Sequence, residues 1–222
     1  MTLICHSKKF IFLKTRKTGG TTLEMALQGF CAPGRDLPER VGYVETEQGV
    51  IGTRAYDGVE APVYEHMPAR KVRAHVGPEI WNSYTKVSVV RNPYEKLVSE
   101  FYWQVREARA MSEPEQIGAF RAWLKSDVRK WTLEDRNIVA INSRLVVQQV
   151  VRHERFAEDV VLLGQALDLG DLELVDFKKG IRPRKIEIIH YYDREAVNYV
   201  RRNFAFELSA FGYGLEDLFP RM

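Results

Sequence analysis

The stretch Phe10–Glu24, FIFLKTRKTGGTTLE, predicts a strand, a tight loop and a helix in immediate succession. The apolar run Phe10–Leu13 has the composition of a short buried strand. A basic, hydroxyl-rich turn with paired glycines follows it, and the amphipathic segment Leu23–Phe30 then predicts a helix. A strand that leads directly into a helix is typical of an α/β fold.

The loop between that strand and helix predicts a binding site for a phosphate or sulfate group. Free backbone N–H groups and the positive end of the helix dipole converge at a helix start. Gly19 and Gly20 allow the backbone to approach an anion closely, and Lys17 adds a positive charge. Hydroxyl donors come from three threonines, Thr18, Thr21 and Thr22. A Walker A loop places its Lys after the glycines, whereas Lys17 precedes them, so the loop differs from that of the usual nucleoside triphosphatases.

A second stretch, Lys86–Trp103, reads KVSVVRNPYEKLVSEFYW and predicts another strand followed by a helix. The β-branched run Val87–Val90 predicts a buried parallel strand, and Asn92-Pro93 is a favourable helix start. Arg91 directly follows the strand, and Ser99 lies about two turns into the helix. Arg91 and Ser99 could therefore bind a second phosphate together, since Arg offers a bidentate fork.

The two stretches together resemble the two nucleotide-binding motifs of the sulfotransferases that use 3′-phosphoadenosine 5′-phosphosulfate as the sulfuryl donor. Lys17–Thr22 is similar to the loop that holds the 5′-phosphosulfate in that family. Arg91–Tyr94, with Ser99 and Tyr102, is similar to the 3′-phosphate motif. The likeness is greatest to the family that includes many bacterial members and the carbohydrate sulfotransferases. One residue departs from the family pattern, because Arg16 stands where Pro is usual, which should change loop stiffness more than chemistry.

A third and weaker likeness lies near the C-terminus. It comprises Lys178-Lys179-Gly180, then Arg182, then Tyr191–Tyr213, which ends in Phe211-Gly212-Tyr213. The resemblance implies that Lys179, Gly180 and Arg182 contact the nucleotide. A solvated basic loop is the alternative interpretation of the same residues.

The resemblance also implies the reaction, which is transfer of a sulfuryl group to a hydroxyl of a carbohydrate or other small-molecule acceptor. Lys17 and the N–H groups of Gly19–Thr22 would meet the charge that develops on the leaving group. His66, in the segment YEHMPARKV, is the first candidate for the general base, and Glu24 is the second. The alternatives are a surface loop histidine and a solvated or capping carboxylate.

Composition is that of an ordinary globular protein. The chain has 222 residues, of which 45% are hydrophobic and 28% charged, enough for one α/β domain over residues 1–222 with a real core. The net charge of +3 gives no case for general nucleic-acid binding, which goes with a strong basic excess. The five histidines show no metal-ligand spacing with Cys or carboxylates, so we predict no metal requirement.

The cellular location follows from the cysteine count and the hydropathy pattern. Two cysteines, Cys5 and Cys31, do not make a disulfide framework, so a reducing compartment is the simpler expectation. Lysines interrupt any apolar run in residues 1–14, and no stretch approaches a membrane span of about 18 apolar residues. We therefore expect a cytoplasmic enzyme of the bacterial type; the oligomeric state is not predicted.

The expected architecture is a P-loop-like three-layer α/β domain with a central parallel sheet flanked by helices. Strands are expected at residues 10–13, 86–90 and 146–152, with a hairpin around Glu47-Gln48-Gly49. Helices are expected at residues 21–30, 69–76, 93–109, 120–130, 134–142, 156–167 and 194–204. Ligands of such sheets bind at the C-terminal ends of the strands, where both phosphate motifs fall.

Two other functions stay open on the sequence. One is a small-molecule kinase on a similar scaffold that uses ATP and Mg²⁺; the Lys-before-Gly order and the absence of Asp after Val87–Val90 disfavour it. The other is a nucleotide-binding module without catalytic activity, because the base assignment is the weakest part of the interpretation.

Overall fold

The computed structural model describes residues 1–36, 42–54, 61–126, 133–174 and 186–218. Contacts divide the chain into two compact units. The first comprises Met1–Val90 and Asp135–Phe177, and the second comprises Arg91–Glu134 and Lys178–Met222. A single domain over the whole chain stays a prediction.

The first unit is built on a mixed six-stranded sheet. Its strands in chain order are β1 (Leu3–Cys5), β2 (Phe10–Phe12), β3 (Val44–Thr46), β4 (Gly49–Ile51), β5 (Thr85–Val90) and β8 (Gln149–Arg152). The strand order is β3-β4-β1-β2-β5-β8. A separate two-stranded hairpin consists of β6 (Ala140–Ile141) and β7 (Arg144–Leu145). Each of the three longer strand predictions overlaps a strand of this sheet.

Only part of the sheet is parallel. β5 pairs in parallel with both β2 and β8, whereas β1 runs antiparallel to β2 and β4, and β3 runs antiparallel to β4. The predicted α/β class is confirmed: the sheet is parallel at β2, β5 and β8, and antiparallel strands extend it on the β1 side. Strands joined by short turns, as β1–β2 and β3–β4 are, can only pair in antiparallel fashion, while parallel neighbours need a crossover.

Eight α-helices lie in the described ranges. They are α1 (Gly20–Cys31), α2 (Ala69–Ser83), α3 (Pro93–Gln104), α4 (Glu113–Lys125), α5 (Arg136–Val139), α6 (Phe156–Ala166), α7 (Arg194–Asn203) and α8 (Ala205–Phe211). In the first unit α1 packs on β1 and β4, and α6 packs on β8. Helices on the sheet agree with the α/β prediction.

Several boundaries differ from the sequence predictions. The helix predicted to stop at Gly77-Pro78 does break there, since Gly77 has non-helical φ 77° and ψ 168°. A second helical segment starts after this kink and runs to Ser83, so α2 is two helical segments joined at Gly77. The helix expected over 93–109 ends at Gln104, and a 3-10 helix, Arg106–Ala110, follows. The helix expected over 134–142 is confined to α5, since Ala140 already belongs to β6.

Each unit has its own apolar core. In the first unit, side chains from β2, β5 and β8 pack with those of α1 and α6, and free Cys5 and Cys31 are buried there. In the second unit, aromatic side chains of α3 and α4 dominate the core. Tyr94, Phe101 and Tyr102 are all buried in it.

Candidate functional site

The predicted anion loop connects β2 to α1 and has an unusual backbone. Lys17 and Gly19 both have positive φ values, 58° and 79°, and Gly19 is the N-cap of α1. The N–H of Thr22 donates to the Gly19 carbonyl oxygen at 3.1 Å. Because the Thr22 N–H already has this acceptor, the N–H groups of Gly19, Gly20 and Thr21 are the ones that the helix start can offer to an anion.

Hydroxyl groups fasten the loop to strand β5. Ser88 Oγ donates to the Leu13 carbonyl oxygen at 2.7 Å, and Thr15 Oγ1 donates to the Val89 carbonyl oxygen. The Thr15 and Thr18 hydroxyl oxygens lie 2.9 Å apart. Because Thr15 has already given its hydrogen to Val89, Thr18 is the donor of this pair. The Thr18 hydroxyl therefore anchors the loop, and any contribution of Thr18 to an anion comes from its backbone N–H.

Glu24, on α1, lies at the centre of a buried charge cluster. Its carboxylate accepts from the Met1 amino group, Lys14 Nζ and Arg54 Nη2, and its side chain is 0% exposed. Burial acts to raise the pKa of Glu24, but the Met1, Lys14 and Arg54 charges outweigh it and lower the pKa. Lys14 Nζ also donates to Thr21 Oγ1 at 3.2 Å, so the cluster reaches the first turn of α1.

His66 reaches the segment that precedes the loop. Its Nδ1 lies 2.9 Å from the Lys14 carbonyl oxygen, its Nε2 lies 3.6 Å from Glu65 Oε2, and its φ is 56°. Burial, followed by the charges of Arg16 and Lys14, holds the pKa of His66 well below its ordinary value. The imidazole is therefore neutral at neutral pH and has a nitrogen lone pair that can accept a proton. The same burial and charges lower its basicity below that of an ordinary histidine, so a nearby negative charge is needed to stabilise the protonated ring.

A second histidine contacts the loop and was not predicted as a site residue. His153 directly follows β8, and its Nδ1 lies 3.1 Å from the Thr18 carbonyl oxygen. A side chain at Gly19 would meet the His153 ring, since a Cβ built there lies 2.9 Å from Nδ1. The available sequence signal was a histidine at the carboxyl end of the strand predicted over 146–152, the same edge that holds the loop.

The predicted 3′-phosphate residues belong to the second unit. Arg91 pairs with Glu95, since its Nε and Nη2 lie 3.2 and 3.0 Å from Glu95 Oε2. Asn92 caps α3 as predicted, because its side chain accepts from the Tyr94 N–H at 3.1 Å. Ser99 is half-buried on α3.

The basic part of the third predicted motif, with Lys179, Gly180 and Arg182, lies outside the described residues. Lys17, Thr18, Gly19, Gly20, Thr21, Thr22, Glu24 and His66 all lie in the first unit. Among the described residues, no group of three or more His, Cys, Asp or Glu side chains could hold a metal ion. None of the described helices combines the length and apolar character that a membrane span requires.

Comparison with known families gives a match that covers more than half of the chain. The model described as "Sulfotransferase family" matches residues 1–158, which include the loop, His66, Arg91 and His153. No curated protein and no solved structure matches the chain.

Proposed function

This chain belongs to the sulfotransferase family, whose model matches residues 1–158, and we propose that it uses 3′-phosphoadenosine 5′-phosphosulfate as the donor. We further propose a hydroxyl of a carbohydrate or other small molecule as the acceptor. The family supports sulfuryl transfer in general; the donor and acceptor classes extend the resemblance of the sequence motifs. A cytoplasmic location stays a prediction.

The observation that carries the proposal is the geometry of the loop between β2 and α1. Left-handed backbone at Lys17 and Gly19 leads into the first turn of α1, where N–H groups and the helix dipole favour an anion. Thr21 accepts from Lys14, so its hydroxyl hydrogen can be given to a sulfuryl or phosphoryl oxygen. These donors suit the 5′-phosphosulfate group.

In the proposed chemical step the sulfuryl group passes directly to the acceptor, and no protein atom forms a covalent bond. The acceptor oxygen forms a bond to sulfur while the bond between sulfur and the 5′-phosphate oxygen breaks, and adenosine 3′,5′-bisphosphate leaves. Lys17 and the N–H groups of Gly19, Gly20 and Thr21 would stabilise the negative charge that develops on the leaving oxygen, whereas the Thr22 N–H already donates to the Gly19 carbonyl oxygen. The proton of the acceptor hydroxyl passes to a general base.

His66 is the base that the contacts favour. The Lys14 carbonyl can only accept, so Nδ1 of His66 carries the hydrogen and Nε2 of the neutral ring has the lone pair. Glu65 near Nε2 would stabilise the imidazolium that forms. Glu24 stays the second candidate, but its burial against the cationic Lys14 and Arg54 side chains supports a role in fixing Lys14 instead.

Arg91 and Ser99 are proposed as ligands of the 3′-phosphate, on the strength of the motif resemblance. The Glu95 carboxylate holds the Arg91 guanidinium through two contacts to one oxygen. A phosphate at Arg91 would share this guanidinium with Glu95, because the fork offers five N–H donors.

A thermal-shift experiment tests the proposed donor. Adenosine 3′,5′-bisphosphate in EDTA should raise the melting temperature, and at about 100 times the dissociation constant it should add about 2.7 kcal/mol of stability. The comparison ligand is ATP with Mg²⁺. Stabilisation by ATP–Mg²⁺ alone would contradict the proposal and favour the kinase alternative. Nucleotide binding without turnover on any acceptor would instead indicate a non-catalytic module.

A further inference from the structure

His153 is placed to control the conformation of the anion loop. It follows β8, which is the parallel neighbour of β5, and β5 is in turn the parallel neighbour of β2. Its ring extends to the loop after β2, where Nδ1 lies 3.1 Å from the Thr18 carbonyl oxygen. A carbonyl oxygen only accepts, so Nδ1 of His153 is the donor of this hydrogen bond.

This hydrogen bond fixes the direction of the next N–H group. The described residues contain no cis peptide bond, and in a trans peptide the C=O and N–H groups point in opposite directions. Because the Thr18 C=O points to His153, the N–H of Gly19 points away from it. The Thr18–Gly19 peptide therefore presents its carbonyl oxygen to His153 and its N–H group in the opposite direction.

The peptide at this position needs such a constraint. Gly19 has φ 79° and lacks a Cβ, so the Thr18–Gly19 peptide plane can rotate at little steric cost. Rotation would exchange the N–H for a carbonyl oxygen on the side that faces an anion, and a carbonyl dipole repels negative charge. The Thr18 side chain is already fixed through Thr15, so His153 supplies the constraint on the carbonyl.

Packing supports the same role. The ring of His153 lies against Gly19, where a built Cβ would come within 2.9 Å of Nδ1 and 3.3 Å of Cε1. The ring and the glycine are thus matched in shape, and the ring also blocks movement of the Gly19 backbone toward β8.

We propose that His153 is a positioning residue that holds the Thr18–Gly19 peptide with its N–H side toward the donor, and so strengthens binding of the 5′-phosphosulfate group. This inference rests on the proposed function. His153 should therefore strengthen binding of the 5′ group of the nucleotide and leave binding of the 3′ group unchanged.

Two substitutions separate the hydrogen bond from the packing. His153→Phe keeps a ring against Gly19 but removes the donor, and His153→Asn replaces the Nδ1–H with an amide N–H. Dissociation constants are measured by calorimetry for adenosine 3′,5′-bisphosphate and for adenosine 3′-monophosphate, which lacks the 5′ group. Melting temperatures without ligand show that each variant is folded, and His153→Ala replaces the Phe variant if that variant is not.

We expect His153→Phe to weaken binding of the bisphosphate by about tenfold, which is the scale of one lost hydrogen bond. Binding of the 3′-monophosphate should weaken by less than about twofold. His153→Asn should restore most of the bisphosphate affinity. Equal losses for both nucleotides, or a loss that His153→Asn does not restore, would overturn the inference. If the unmodified protein binds the bisphosphate no more tightly than the 3′-monophosphate, the proposed donor site itself is wrong, and the two failures are thereby distinguished.

Discussion

Nδ1 of His66 lies 2.9 Å from the backbone carbonyl oxygen of Lys14, the residue that begins the turn toward the anion loop. The contact fixes both the tautomer and the orientation of the imidazole, because the carbonyl can only accept. Lys14 is itself held by Glu24 through its side chain. The candidate base is therefore tied to the segment that precedes the proposed donor loop, and its chemistry can be tested separately from nucleotide binding.

Substitution of His66 should lower the turnover rate without weakening nucleotide binding. His66→Asn can still donate to the Lys14 carbonyl but cannot accept a proton, so the turnover rate should fall by about 10²–10⁴-fold. The affinity for adenosine 3′,5′-bisphosphate should stay within about twofold. His75→Ala, at an exposed position on α2, is the matched control and should keep full activity.

The measurement is steady-state turnover with a reactive acceptor, together with nucleotide binding by calorimetry. Full turnover in His66→Asn would show that His66 is not the base. Glu24→Gln would then test Glu24 only at a temperature at which urea unfolding shows that this variant is still folded. Activity in both variants would show that neither residue takes the proton.

The stability of the protein should depend on pH through His66. Burial and the charges of Arg16 and Lys14 lower its pKa in the folded state, whereas the unfolded value is about 6.5. Between these values the unfolded chain binds more protons, so the free energy of unfolding falls as the pH drops below about 6.5. His66→Asn should have a shallower slope than the unmodified protein in urea titrations between about pH 5 and 7. Parallel slopes would show that His66 is not held neutral.

Lys17 should matter for both donor binding and rate. It carries its charge at the loop, so Lys17→Ala should raise the KM for the donor and lower kcat, with a loss of about 1.5–3 kcal/mol in donor affinity. Lys9→Ala is a matched control, since Lys9 also has positive φ but lies at the opposite end of β2. Comparable losses in the two variants would indicate a general effect of net charge.

Arg91 and Ser99 should discriminate between nucleotides. Arg91→Ala should weaken adenosine 3′,5′-bisphosphate by about tenfold to a hundredfold and adenosine 5′-monophosphate far less, since a charge-assisted hydrogen bond is lost only with the 3′ group. Ser99→Ala should act in the same direction. Arg106→Ala, at an exposed position in the 3-10 helix after α3, serves as the control. Equal losses for both nucleotides would show that Arg91 does not bind the 3′-phosphate.

Glu24 should be important for stability. Glu24→Gln leaves the Lys14 and Arg54 charges buried without their carboxylate, and breaking a buried ion pair from one side costs about 3–5 kcal/mol. Urea unfolding measures the loss, and Glu95→Gln, which removes a more exposed pair with Arg91, should cost less than about 1 kcal/mol. A loss below about 1 kcal/mol in Glu24→Gln would mean that the cluster contributes little net stability.

The sequence alone determined the elements on either side of the loop. β2 and β5 follow from short apolar runs, and the starts of α1 and α3 follow from Gly19-Gly20 and Asn92-Pro93. These signals are local, since capping, glycine conformation and strand composition act over a few residues. The sequence also contained the family motifs, and the family match is consistent with them. It did not reveal β1, which is a strand through its antiparallel pairing with β2 and β4 and not through a local pattern.

Only the tertiary structure decided which side chains meet at the loop. His66 and Lys14 are 52 residues apart in the chain, and His153 and Thr18 are 135 residues apart. The sheet order brings β8 and β2 to either side of β5, and no local pattern specifies that order. The burial of Glu24 likewise depends on how Met1, Lys14 and Arg54 come together around α1. Contacts of this kind depend on the packing of the whole unit, so the sequence supplied the candidate residues and the fold determined their partners.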